Sequence, residues 1–276
     1  MQELAVTKRF GKFGNSLLTD FLLLAAILVV VHGIYVAYIY PQSIEIIQAS
    51  EGIGIYPARN PIIIVKDFEQ EICIILGLWC LALLFRRYHL SDIDLHLLEV
   101  DFTGVQQMVN DLETIESSLT EADQIAPNSI LVPATRAALD SYRLTGSYDS
   151  ARHAAFEYCT LQEEVLESKL TAIRYILWAI PSIGFLGTVR GIGEALTRAN
   201  EAIQGDISGV AASLGVAFNS TFVALLISLA LTMVSNGLRG REQDRLVKCK
   251  TFISGTFLLQ LRDTGLKSDG IKNQAH

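Results

Sequence analysis

The chain has 276 residues, half of which are hydrophobic, and its formal net charge is -7. Its mean hydropathy is positive, which excludes an average soluble domain. The run from Phe21 to Tyr40 carries almost no charge, and about 20 apolar residues are enough to cross the hydrocarbon core of a bilayer. The sequence therefore predicts an integral membrane protein surrounded by lipid.

The four cysteines lie far apart and show neither a disulfide framework nor the spacing of a metal site. We expect Cys73, Cys80, Cys159 and Cys249 to be small buried side chains. No nucleotide-binding loop and no catalytic set of side chains is visible in the sequence. It therefore predicts a protein that is not an enzyme, that holds no cofactor or metal, and that binds no nucleic acid.

The first span is predicted at residues 17–40, after a basic cytoplasmic leader at residues 1–16. Tyrosines close this span at the membrane interface, directly before Pro41. The apolar run is too long for a cleaved signal peptide, so we interpret it as a retained span. Two interpretations of His32 stay open: it faces a neighbouring helix, or it handles protons.

A periplasmic loop is predicted at residues 41–70, and the second span at residues 71–86. Phe68 can extend that span, so its start stays open. The β-branched run Ile62–Val65 predicts either a stretch docked on the membrane surface or an edge strand.

Basic residues indicate the orientation, because the cytoplasmic flanks of membrane spans are enriched in Lys and Arg. They precede the first span, follow the second and follow the last, as Lys8, Arg9, Lys12, Arg86, Arg87, Arg239, Arg241, Arg245, Lys248 and Lys250. The first outer loop has only Arg59 and Lys66. We therefore predict four spans with both termini and the central segment in the cytoplasm.

Residues 87–172 are predicted to form an acidic helical domain in the cytoplasm. Between Tyr88 and Ala172 there are fifteen acidic and four basic residues, a net charge of -11. This acidic surface is either a solvated face or a docking face for a basic cytoplasmic protein.

Two helices are predicted within this domain. Apolar residues recur every three or four positions from Ile93 to Leu119, which indicates a long amphipathic helix broken by Pro127 and Pro133. A second helical run begins at Tyr148 and is expected to continue directly into the third span.

The last two spans are predicted at residues 173–198 and 209–238, joined by a periplasmic turn at residues 199–208. A cytoplasmic helix and tail, residues 239–276, would follow. Both spans carry hydroxyl and small side chains where a simple anchor would carry Leu and Ile. Because polar groups in lipid need a partner or a water-filled cavity, we expect these helices to face protein or water.

Small residues and a proline mark one face of the third span. Gly184, Gly187 and Gly191 share a helical stripe, which predicts close approach of a neighbouring helix. Pro181 frees a backbone carbonyl and bends the helix. That carbonyl could contact an ion or water, although packing alone also explains the proline.

Hydroxyl and amide side chains lie near the middle of both spans. A single Thr usually bonds to its own helix, but Thr188 and Thr221 at matching depth, with Asn219 and Ser220 beside one of them, indicate a hydrated path. Toward the outer side, Arg190 and Glu194 are four residues apart and form a candidate charge pair at the outer mouth.

These two spans carry a resemblance. The segments Phe185-Leu-Gly-Thr-Val-Arg-Gly-Ile192 and Leu214-Gly-Val-Ala-Phe-Asn-Ser-Thr-Phe-Val-Ala-Leu-Leu226 resemble the signature hairpin of the MotA/TolQ/ExbB proton-channel family, over about Ile173 to Arg245. The resemblance implies a stator-type ring of five copies around two copies of a single-span partner similar to ExbD, TolR or MotB. An Asp of the partner would carry the proton or sodium ion, and Thr188 and Thr221 match the threonines that line its route.

The chain departs from the family pattern at two positions. Arg190 stands where many relatives of the TolQ/ExbB type have Trp, and Val216 stands where that branch tends to carry Glu. No ring carboxylate is then obvious at mid-depth, which assigns the titrating role to the Asp of the partner.

The sequence therefore predicts an all-α integral membrane protein with four transmembrane helices and a helical cytoplasmic domain, the last two spans extending into the cytoplasm. The resemblance implies a homopentameric rotary motor subunit of a bacterial inner membrane, driven by the proton motive force. A non-conducting scaffold that keeps the same hairpin is the alternative. A self-contained transporter would need an internal repeat and its own midplane carboxylate, and the sequence shows neither.

Overall fold

The computed structural model describes residues 2–51, 57, 60–99, 112–126, 129–205 and 207–258; side chains are described from Leu18 onward, apart from short stretches, chiefly 89–99 and 112–115. Most of these residues are helical, and they include no strand. Four helical segments are long and apolar enough to cross a membrane, Leu18–Ser50, Phe68–Tyr88, Tyr148–Thr197 and Ser208–Gly255. The predicted fold class is confirmed.

The first span continues past the proline that was expected to end it. Helix α1, Gln2–Ile34, runs through a π-helical turn, Tyr35–Ile39, into α2, Tyr40–Glu51. The prediction of a loop is therefore wrong for residues 41–51, which are helical. Pro41 lacks an N–H group and its ring crowds the preceding turn, but the wider π turn directly before it provides the space.

The run predicted as a surface stretch or edge strand is a short helix, α3, Pro61–Val65. Asn60 caps it, since its side-chain oxygen accepts a hydrogen bond from the backbone N–H of Ile62 at 2.9 Å. Pro61 occupies the first helical position, where its fixed φ favours a helix. Cap and proline together outweigh the β preference of the branched side chains, so the strand prediction is wrong.

Helix α4, Phe68–Glu99, contains the second span. It begins three residues before the span predicted at residues 71–86 and continues into the segment predicted as the cytoplasmic domain. Glu69 and Glu71 lie in its first turn, where negative charge interacts favourably with the helix dipole. Glu69, which was assigned to a loop, therefore belongs to the first turn of a helix that is long and apolar enough to cross a membrane.

Two helices follow in the central segment, α5, Leu112–Ile125, and α6, Leu131–Thr145. Pro133 lies in the first turn of α6 and does not break a helix there, whereas Pro127 and part of the predicted amphipathic helix lie outside the described residues. Gly146 ends α6 in a left-handed conformation, φ 64°, and its N–H donates to the Tyr142 carbonyl at 2.8 Å.

The last two spans belong to very long helices. Helix α7, Tyr148–Thr197, has 50 residues, so the predicted continuation of the Tyr148 helix into the third span is confirmed. A short helix, α8, Ala199–Ile203, lies in the turn between the third and fourth spans. Helix α9, Ser208–Phe252, then continues into a π-helical turn, Ile253–Phe257.

The chain divides into two compact units. The first comprises Met1–Leu84 and Ala172–Ser235, and the second comprises Phe85–Thr171 and Asn236–His276. Each of α4, α7 and α9 contributes residues to both units.

The core of the second unit joins α5, α6, the first part of α7 and the last part of α9. Its buried residues include Leu119, Ile130, Leu131, Val132, Leu139, Ala151, Ala155, Cys159, Leu246, Cys249, Ile253 and Leu258. Cys73 and Cys80 are buried in the first unit, and all four cysteines are free thiols. The prediction of small buried cysteines is confirmed.

Basic side chains of the last helix neutralise part of the acidic segment within the second unit. Ion pairs join Arg239 to Glu167 at 2.7 Å and Lys250 to Glu163 at 3.8 Å. The Arg241 guanidinium lies 4.3 Å from the centre of the Tyr88 ring. The chain itself therefore supplies some of the positive charge that the acidic domain attracts, while a protein partner for this domain stays a prediction.

Candidate functional site in the last two spans

The backbone of α7 lies close to the backbone of α9 at Gly191. A methyl group on this glycine would lie 2.6 Å from the Ala217 backbone nitrogen and 2.7 Å from the Ser213 carbonyl oxygen. A Cβ atom essentially never lies so close to a non-bonded backbone atom, so only glycine fits without a shift of the helices. A methyl group on Gly193 would meet nothing within 4 Å, which places Gly193 away from this contact.

Gly187 and Gly184, one and two turns before Gly191 on α7, also contact α9. A methyl group on Gly187 would lie 2.5 Å from the Ser220 side chain, and one on Gly184 would lie 3.0 Å from the Ser220 carbonyl oxygen. Small residues allow this approach in membrane helices, where packing and hydrogen bonds drive association. The three predicted packing glycines therefore line one contact.

Pro181 is accommodated within α7, and a residue of α9 compensates for its missing donor. A proline has no N–H, so the carbonyl of Leu177, four residues earlier, loses its partner within the helix. The Ser228 hydroxyl donates to that carbonyl at 3.2 Å. The freed carbonyl is therefore used for contact between the helices.

Thr188 and Thr221 meet at the centre of this contact. Their hydroxyl groups are hydrogen-bonded to each other. Thr188 also approaches the Ala217 carbonyl of α9 at 3.0 Å, and Thr221 approaches the Gly184 carbonyl of α7 at 3.1 Å. The sequence analysis placed these threonines at matching depth, and the structure brings them into contact.

The pair of hydroxyls has spare hydrogen-bonding capacity. Each hydroxyl carries one proton and two lone pairs. Two protons can make only two of the three bonds between the helices at one time, and at least one oxygen lone pair is not used by these bonds. The pair can exchange donor and acceptor roles without moving its helices.

The other two predicted path residues differ from the threonines. Ser220 is buried, and its hydroxyl donates to the Val216 carbonyl of its own helix at 2.7 Å. Asn219 is half-buried, and its side chain makes no hydrogen bond to the described part of the chain. The structure thus joins Thr188 to Thr221 directly and places Ser220 against Gly187, while Asn219 lies beside them.

Arg190 has two acidic partners. Its Nη1 donates to Glu194 at 2.9 Å, the pair expected from their spacing. Its Nε and Nη2 also donate to the two carboxylate oxygens of Glu69, at 2.7 and 2.8 Å. Such a bidentate pair fixes geometry as well as charge. Glu69, which the sequence analysis assigned to a loop, therefore connects α4 to α7.

A second polar cluster joins the first span to α4. The Glu71 carboxylate accepts from the Tyr40 hydroxyl at 2.8 Å and lies 2.7 Å from Nδ1 of His32. The Tyr35 hydroxyl donates to the Val65 carbonyl at 2.7 Å. His32 thus faces a neighbouring helix, which was one of its two open interpretations.

Glu69 and Glu71 are the site residues that sequence analysis missed. The one signal was the Glu-Gln-Glu run at residues 69–71, directly before an apolar segment. Across the described residues, no three His, Cys, Asp or Glu side chains are grouped closely enough to hold a metal ion.

The fold and this site together define a multi-pass helical membrane protein whose last two spans are joined by glycines and hydroxyls. Residues 126–250 match the model of the MotA/TolQ/ExbB proton channel family. The predicted resemblance to that family is therefore confirmed, and the match extends further into the central segment than the hairpin alone. No curated protein and no solved structure gave a significant match.

Proposed function

We propose that this chain is a ring-forming subunit of an energy-transducing rotary complex in a bacterial inner membrane, driven by protons or sodium ions. Five copies would surround two copies of a single-span partner that carries an Asp. Both termini would lie in the cytoplasm. The family match supports an energy-transducing proton channel, and the ring, the partner and the orientation are our proposal.

The contact between Thr188 and Thr221 is the observation that carries this proposal. Two hydroxyls with exchangeable protons lie between the last two spans, where a simple packing contact would need only apolar atoms. In lipid, such groups need a partner or water. We propose that they stabilise the ion, or the water that carries it, as it moves to and from the Asp of the partner.

The energy available is sufficient to bias such a step. Moving one elementary charge through 100 mV releases about 2.3 kcal/mol, several times the thermal energy. Large apolar side chains on both helices are exposed, including Phe185, Leu186, Phe218 and Phe222. Neighbouring copies and lipid would cover these side chains in the proposed ring.

The test is ion flux through the complex in vesicles, after copurification with the single-span partner. We expect Thr188→Ala and Thr221→Ala each to reduce flux strongly. Thr197→Ala is the matched control, because its hydroxyl bonds within its own helix to the Glu194 carbonyl at 2.7 Å. Unchanged flux in both test variants would refute the mechanism.

The stoichiometry of the purified complex tests the ring independently. Imaging should show five copies of this chain around the partner. A monomer or dimer, or a complex without a partner that carries an intramembrane Asp, would favour the non-conducting scaffold.

A further inference from the structure

The polar contact between the last two spans continues onto α4. The stem of Glu69 packs over Gly187, since a methyl group on this glycine would lie 3.2 Å from Cγ of Glu69. Gly187 directly precedes Thr188 and also contacts Ser220 of α9. The Glu69 side chain therefore lies against α7 at Gly187, the residue before Thr188.

The charges at this junction do not balance. Glu69 and Glu194 share one guanidinium, that of Arg190, which leaves one negative charge in the group. The Glu69 residue is 7% exposed, whereas the side chains of Arg190 and Glu194 are both 43% exposed. If Glu69 is neutralised, Arg190 keeps Glu194 as its counterion.

Gln70 provides an independent sign of a bound species. It is 0% exposed, and both atoms of its side-chain amide lack a hydrogen-bond partner. Buried amides are almost always satisfied by protein, water or ligand. The structure therefore contains a fully buried donor and acceptor at the residue that follows Glu69 in the first turn of α4.

The helical position of Gln70 shows which way it faces. Gln70, Cys73 and Gly77 are spaced by three and seven residues, so they share one face of α4. On that face, the Cys73 thiol lies 3.6 Å from the Ile180 carbonyl of α7, and a methyl group on Gly77 would lie 2.8 Å from Ile227 of α9. Gln70 thus lies on the face that packs against the hairpin.

We propose that Glu69 and Gln70 form an outer cation site, at which the ion enters the path that leads to Thr188 and Thr221. This inference rests on the proposed function. A proton arriving from outside binds a Glu69 carboxylate oxygen and leaves a neutral acid, while Arg190 stays paired with Glu194. The proton then departs toward the hydroxyls and restores the carboxylate. A sodium ion would bind the same carboxylate with the Gln70 carbonyl and water.

The neighbouring carboxylates Asp67 and Glu71 each have a side-chain partner, and Oδ2 of Asp67 is buried without a hydrogen bond. On the loop before α4, Asp67 pairs with Lys66 at 2.8 Å, and Glu71 contacts His32 and Tyr40 of the first span. Glu69 is therefore the carboxylate that faces the hairpin.

The first experiment measures flux through the full complex in vesicles. Glu69→Gln should reduce flux by about 100-fold, the lower range of effects when a group that transfers protons is removed. Glu45→Gln is the matched control, because that carboxylate is exposed and bonds only weakly to Gln42, at 3.4 Å. Wild-type flux in Glu69→Gln would overturn the inference.

A double variant separates an ion-binding role from a structural one. If Glu69 merely neutralises Arg190, then Glu69→Gln combined with Arg190→Gln removes both charges and should restore flux. If Glu69 carries the ion, the double variant should stay as inactive as Glu69→Gln alone. Restoration in the double variant would overturn the inference.

A second experiment does not depend on flux. Dicyclohexylcarbodiimide modifies protonated carboxyl groups in apolar surroundings, and mass spectrometry of the full chain in membranes locates the modification. Glu69 should be modified more as the pH is lowered, and sodium should protect it if sodium is the ion. An unmodified Glu69 under all conditions would refute the site. If Glu69 is modified in this way but the unmodified wild-type complex conducts no ions, the proposed function is refuted and the site is retained.

Discussion

Two contacts between membrane helices in the first unit are built by opposite means. In the contact of α7 with α9, the backbones meet at glycines, and the polar bonds come from short hydroxyls. In the contact of the first span with α4, large side chains such as Val31 and Ile75 fill the space, and long polar side chains reach across it. The first contact has no room for additional atoms, whereas the second depends on the reach of individual side chains.

This difference predicts a graded series of substitutions. The free energy of unfolding in mixed micelles measures each of them. Changes that add atoms to the hairpin contact should cost most, and changes that remove neutral hydrogen bonds should cost least. Equal losses across the series would break the comparison.

The largest effect is expected for Gly191→Ala. The new methyl group would overlap backbone atoms of Ala217 and Ser213, so the helices must separate. Overpacking of this kind costs about 3 kcal/mol when backbone must move. Gly193→Ala is the control, because its methyl group would meet nothing within 4 Å. Equal stability of the two variants would show that α7 and α9 are not in close contact.

Glu71→Ala should destabilise the contact between the first span and α4 by about 2 kcal/mol, since charged hydrogen bonds contribute more than neutral ones. The substitution removes the bonds to His32 and Tyr40. Glu45→Ala, at an exposed carboxylate, should change stability little. If Glu71→Ala leaves the free energy of unfolding unchanged, apolar packing alone holds the first span against α4.

Tyr35→Phe should cost about 1 kcal/mol, the usual value of one hydrogen bond. It keeps the ring, which is 1% exposed, and removes only the bond to the Val65 carbonyl. Tyr38→Phe, at a residue that is 57% exposed, is the matched control. If the two variants lose the same stability, the Val65 bond contributes nothing.

Thr188→Val should cost least, about 0.6 kcal/mol, the average for polar bonds between membrane helices. The shape of the side chain is retained, and the hydroxyl bonds to Thr221 and Ala217 are lost. Thr197→Val is the control for the effect of replacing Thr by Val within α7, because the Thr197 hydroxyl bonds only to its own helix. A loss as large as that of Gly191→Ala would show that the hydroxyls, and not the glycines, hold the hairpin.

Local spacing explains what the sequence could predict. The four spans, the long helix from Tyr148 and the glycine stripe all follow from residues that are near each other in sequence. Arg190 and Glu194 are one helical turn apart, so their ion pair was also predictable. The pair of Arg190 with Glu69 joins residues 121 positions apart, and no periodicity indicates such a contact.

The errors have a common physical origin. A helix end was expected at Pro41, and a surface stretch or an edge strand at Ile62–Val65. Both predictions rest on the usual conformational preference of each residue taken alone. A π turn accommodates Pro41, and the Asn60 cap with Pro61 turns the branched residues into a helix. Both outcomes depend on the backbone of neighbouring residues, which propensity does not describe.

The bond from Ser228 to the Leu177 carbonyl has a consequence for biogenesis. Until α9 has entered the membrane, Pro181 leaves that carbonyl without a partner in lipid, a state that costs free energy. The third span is therefore completed by the fourth, and we expect the translocon to release the two together. In an insertion assay, α7 should integrate less efficiently in a chain that ends before Ser208 than in a chain that contains the full hairpin. Pro181→Ala should remove this difference.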